Sequence, residues 1–151
     1  MKHLVKKLLK THPNMGYSIA RLTLGLVIFP HGAQKLLGLF GGYGYTATME
    51  SFTTQMGLPS FIAFSIIIIE FFGSISLILG LFSRFWAVSL IGMFIGIIYT
   101  TQLAHGFFMN WFGNQAGEGY EYSLLIIGLA LTIMVNGSGT WSIDKLISKK
   151  Q

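Results

Sequence analysis

Across residues 61–104 the chain carries two charged residues, Glu70 and Arg84, in an otherwise uncharged and mostly apolar stretch. Its two runs, FIAFSIIIIEFFGSISLILGLF (61–82) and FWAVSLIGMFIGIIYTTQLA (85–104), each supply the ~20 residues that cross a hydrocarbon core of ~30 Å. Lipid offers no partner to an exposed peptide group, so each run must bond its backbone internally, as a helix does. Only Ser83 and Arg84 lie between them, which predicts a tight antiparallel hairpin. The composition agrees: 52% of residues are hydrophobic and 10% charged, against ~25% charged in a soluble domain.

Two further windows, 15–39 and 120–136, complete an all-α bundle of four transmembrane helices forming a single domain over 1–151. Pro13 and Asn14 are helix-start signals for the first span. Pro30 lies inside that span and frees the Leu26 carbonyl just before His31. Gly25 and Gly32 nearly share one face, and Gly92 and Gly96 another, so each pair permits close helix contact. Residues 40–60 place Met49, Phe52 and Met56 at helical spacing, which suits a short interfacial helix or a connector with a few buried apolar residues. Residues 1–12 alternate lysine with leucine and valine, as a retained basic surface helix or a solvated tail.

Lysine and arginine set the orientation. Lys2, Lys6, Lys7, Lys10, Arg84, Lys145, Lys149 and Lys150 fall on one face, while the loops on the other carry only Glu50 and Glu118. Both termini are therefore expected in the cytoplasm. The net charge of +5 is accounted for by membrane lipids rather than nucleic acid, because the basic residues flank apolar spans. With no cysteine, disulfides, thiolate metal sites and thiol relays are excluded.

At ~1.5 Å per residue, Lys35 lies ~6 Å below the outer end of its span, His31 ~12 Å, Glu70 ~13 Å and Gln102 ~3 Å, with Glu121 and His105 at the rim. Burying an ionisable group in lipid costs at least ~2.5–3.5 kcal/mol, so such groups turn inward and find partners. The expected arrangement pairs Glu70 with Lys35 or a protonated His31, and places Glu121 near His105 or Lys35. That is either a functional pocket or an ion pair that only fixes helix packing. Arg21, alone near the opposite end, is expected to snorkel toward headgroups.

The blocks ARLTLGLVIFPHGAQKLLG (20–38), GLPSFIAFSIIIIEFFGSISLILGLFSR (57–84), AHGFFMNW (104–111) and GYEYSLLI (119–126) resemble the four motif blocks of the DoxX family of bacterial membrane proteins. The resemblance implies a multi-pass protein of the bacterial cytoplasmic (inner) membrane, associated with respiratory or quinone-linked redox chemistry. Some relatives are described as subunits of a thiosulfate:quinone oxidoreductase, others as defences against quinones, catechols or oxidative stress. The family's HG-x-QK element falls on His31, Gly32, Gln34 and Lys35, its second-span glutamate on Glu70, its fourth-span glutamate on Glu121 and its third-span histidine on His105.

The leading functional expectation is a quinone-interacting component of an oxidoreductase system, with His31, Gln34, Lys35, Glu70, Gln102, His105 and Glu121 as binding residues. A quinone head needs hydrogen-bond donors or protonatable groups at its carbonyls inside an apolar pocket, with Phe29, Phe71 and Tyr99 available to flank the ring. No flavin or nucleotide motif and no cysteine is present, so electrons are expected from a bound cofactor or a redox partner protein. A second class is a haem or metal protein ligated by His31 and His105, though neither histidine has a defining metal spacing. A third is a proton-coupled carrier of small solutes, for which four short spans without an inverted repeat would need assembly into a homo-oligomer.

Overall fold

Asn14 opens the first long helix, its side chain accepting the Gly16 backbone N–H at 2.7 Å. In the computed structural model, residues 8–148 are described, and every regular element among them is helical. Helix α1 (Met15–Leu37) continues through Pro30 and ends at Gly38, whose φ of 72° reverses the chain before the expected end at 39. Helix α2 (Gly44–Glu50) runs into a π turn (Ser51–Gln55), as the helical spacing of Phe52 and Met56 suggests. Helix α3 (Ser60–Leu79) and helix α4 (Ser83–His105) form the hairpin, and both are long and apolar enough to cross a membrane. Helix α5 (Glu121–Asn136) is apolar but 16 residues long. A short α6 (Ile143–Ser148), not anticipated from sequence, follows it.

The core is shared by the four long helices: Leu24 and Ile28 of α1, Leu77 of α3, Leu90 and Phe94 of α4, and Ile126 and Ile133 of α5. Helix α4 packs chiefly on α5, and α1 on α3 and α5. Outside this core the helices do not turn polar. Leu26, Phe64, Ile95 and Leu125 are all exposed, one on each long helix, an apolar exterior suited to lipid.

The hairpin turn lies earlier than the sequence suggests. It occupies Gly80, Leu81 and Phe82, with left-handed φ at Gly80 (71°) and Phe82 (49°), so Ser83 already begins α4. The reason is distant in sequence: the Asp144 carboxylate accepts the N–H groups of Phe82 at 2.7 Å and Ser83 at 3.0 Å, capping α4 from α6.

Arg21 corrects a second expectation. Instead of snorkelling it is 1% exposed and grips the carbonyls of Leu77, Ile78, Ser138 and Trp141, joining α1 to the end of α3 and to the segment before α6. The segment after α5 comes within reach because Ser18 and Thr11 accept the N–H groups of Thr140 and Gly139. Arg84 closes the same end, donating to Lys10 and Met134 carbonyls. Lys2, Lys6, Lys7, Lys149 and Lys150, and most of the basic segment at 1–12, lie outside the described residues.

Candidate functional site

Gly32 brings α1 onto α3 at the site. A Cβ there would lie 2.5 Å from the Glu70 carbonyl carbon and the Phe71 nitrogen, so only glycine allows this approach. Lys35, three residues on, then reaches Glu70, with Nζ 2.6 Å from Oε2. Their side chains are 23% and 7% exposed, and theirs is the one ion pair among the described residues. The Lys35 ammonium thus stands on the buried Glu70 Oε2, to which no other described group donates.

Next to this pair is a cavity of about 640 Å³. Phe52, Met56 and Leu58 cover it from the α2 side, Phe61, Ile62 and Ile66 wall it from α3, and Gly92, Met93, Gly96 and Ile97 wall it from α4. The two glycines were expected to allow close helix contact. Instead, a Cβ on either would meet nothing within 4 Å, so their missing side chains make room in the cavity.

Three π turns border this space: Ser51–Gln55 contributes Phe52, Ile69–Gly73 contributes Ile69 and Glu70, and Ile98–Gln102 contributes Thr100 and Thr101. A π turn re-aims side chains at the expense of regular helical bonding and recurs at functional sites. The hydroxyls lining the cavity are already engaged: Ser65 donates to Phe61, Thr100 to Gly96 and Thr101 to Ile97. Its polar character is therefore concentrated at one pole, Lys35 and Glu70.

The other sequence-predicted residues go elsewhere. His31 is exposed, because it lies ~100° around α1 from Gly32 and lacks the long stem of Lys35. Gln34 donates to the Phe40 carbonyl at 3.0 Å and holds the turn after α1. Gln102 accepts from Ser123 at 2.7 Å, bridging α4 to α5. Glu121 accepts the Met109 N–H and the Trp111 indole N–H, each at 3.0 Å, so it orders the loop rather than pairing with Lys35 or His105. The His105 ring packs over Gly117 in that loop. Phe29 and Phe71 pair with each other at 5.9 Å, and Tyr99 is 80% exposed, so none of these three lines the cavity.

Residues 16–103 match the DoxX family model. The chain belongs to the DoxX family. All the lining residues of the cavity, from Lys35 to Thr101, fall within the matched segment. Among curated DoxX-like relatives, "Inner membrane protein YqjF" of Escherichia coli (strain K12) is 28% identical over 142 residues, 94% of this chain and 99% of that protein. "Putative oxidoreductase CatD" of Bacillus subtilis (strain 168) is 30% identical over 135 residues, 89% of each. No solved structure matches the chain. It is thus an all-helical membrane protein of the DoxX family, with the Lys35–Glu70 pair inside the matched region.

Sequence reasoning passed over Tyr122, whose hydroxyl is buried with no hydrogen-bond partner among the described residues. Its ring stands edge-on to Phe94 at 6.4 Å. Nothing in its sequence setting distinguishes it from an interfacial aromatic.

Proposed function

We propose that this DoxX protein is a four-span bacterial inner-membrane protein with cytoplasmic termini whose cavity accepts a membrane quinone. In this reading it serves an oxidoreductase system as a quinone-interacting component. The observation that carries it is the single polar pole, Lys35 with Glu70, at one side of an otherwise apolar 640 Å³ cavity. Such a space suits an amphiphile with a polar head and a hydrocarbon tail. The names of the two relatives, one an inner membrane protein and one a putative oxidoreductase, agree with this reading. Of the described lysines and arginines, Lys10, Arg21, Arg84 and Lys145 cluster at one end and Lys35, paired with Glu70, lies toward the other, while loops 38–59 and 106–119 contain no lysine or arginine, which supports the orientation.

The residues fit a quinone head. Among the described groups only the Lys35 ammonium sits on the Glu70 carboxylate, which keeps lone pairs for a hydroxyl. The Lys35 ammonium has donors to spare for a carbonyl oxygen. When bound, a quinone supplies two-electron, two-proton chemistry. Lys35 and Glu70 would orient the head and hold or release a proton at the carboxylate, while Phe52, Met56 and Leu58 keep water away. Electrons come in this reading from a partner protein.

The test is to purify the protein with its native lipids, extract it and identify any quinone by mass spectrometry. A short-chain quinone is then titrated into the wild type and the Glu70→Gln variant. A co-purifying quinone, and affinity at least tenfold weaker in the variant, supports the reading. Absence of bound quinone together with unchanged affinity in the variant overturns it.

A further inference from the structure

A second cavity, of about 420 Å³, lies where the 106–119 loop folds over the start of α5. Phe107, Trp111 and Tyr122 give it aromatic walls, Leu124 and Leu125 an apolar floor, and Glu121 its carboxylate. Glu121 Oε1 is engaged by the Met109 N–H and the Trp111 indole, which hold the loop and the indole in place. Its other oxygen takes no hydrogen bond among the described residues, and no described lysine, arginine or histidine lies within ion-pair distance of it. Lys35 is engaged by Glu70, and loops 38–59 and 106–119 add Glu50 and Glu118 but no cationic residue. The whole end of the molecule therefore carries a negative field that draws cations in.

We infer that this cavity binds a lipophilic organic cation, its positive centre at the second oxygen of the Glu121 carboxylate, bordered by the rings of Trp111 and Tyr122, and its apolar part along Leu124 and Leu125. Aromatic faces carry negative charge density, so Trp111 and Tyr122 attract a cation that is too bulky to be strongly hydrated. A half-buried carboxylate at the rim of an apolar space discriminates charge, and the rings discriminate against small hydrated ions. Leu124 and Leu125 are 46% and 69% exposed, so an apolar substituent can continue along α5 into lipid. The site is separate from the Lys35–Glu70 cavity and does not depend on the quinone reading.

The experiment measures binding of methyltriphenylphosphonium to the full chain in nanodiscs by calorimetry, with triphenylphosphine oxide as a neutral analogue of similar shape. The cation is expected to bind at least tenfold more tightly than the neutral analogue. Glu121→Gln keeps an oxygen for the two N–H donors while removing the charge, and is expected to weaken cation binding about tenfold. Trp111→Leu is expected to weaken it as well. Equal binding of the two probes, or wild-type affinity in Glu121→Gln, overturns the inference.

Discussion

Gly32 and Glu70 are in backbone contact: a methyl group on the glycine would stand 2.5 Å from the glutamate's carbonyl carbon. This approach places Lys35 over the Glu70 carboxylate, so the ion pair depends on a residue that makes no polar contact itself. Gly32→Ala is expected to push α1 off the π turn of α3 and to destabilise the bundle by ~1–3 kcal/mol, the usual range for overpacking. Thermal unfolding in detergent checks the loss, and a weakened Lys35–Glu70 coupling in the same variant shows its route.

That coupling has its own signature. Removing one partner of a buried pair strands the other charge at a cost of ~3–5 kcal/mol, whereas removing both leaves nothing uncompensated. Lys35→Met and Glu70→Gln are each expected to destabilise the fold more than the double variant does. A double-mutant cycle on thermal stability reads the difference, and additive effects would show that the two side chains are energetically independent.

Gly92 and Gly96 border open space, so larger side chains there have somewhere to go. Gly96→Leu is expected to leave stability unchanged or raised and to abolish binding of a short-chain quinone. Stability and binding are measured on the same preparation. A destabilised Gly96→Leu would show that the space is tighter than its walls indicate.

Asp144 caps a helix that begins 61 residues earlier. Asp144→Ala removes two hydrogen bonds to the first turn of α4, and loss of a cap costs ~0.5–2 kcal/mol. The expected outcome is a lower melting temperature with faster proteolysis of the chain after Asn136. Asp144→Asn, which retains one acceptor oxygen, is expected to recover part of the loss.

The helical character, the long apolar segments and the two members of the Lys35–Glu70 pair were legible in the sequence, because hydrophobic length and isolated charges report directly on what a segment can bury. Depth along the spans also placed Lys35 and Glu70 in the same half of the bundle, and the Gly25 and Gly32 face did become a close contact with α3. Depth is one coordinate only. It could not tell that His31 turns outward while Lys35 reaches in, or that Glu121 has nearer donors in Met109 and Trp111 than any cation.

What the sequence by itself determined, then, is a chain of apolar helices with a small set of groups that could not be left facing lipid, since peptide bonds and charges there have no other solvent. Which of those groups met was decided by tertiary structure. Glycines with nothing opposite them opened a cavity at Gly92 and Gly96, and a glycine with a backbone opposite it closed one at Gly32. The residue type is the same in both, and only the neighbour, brought from elsewhere in the chain, determines whether the missing side chain becomes contact or space.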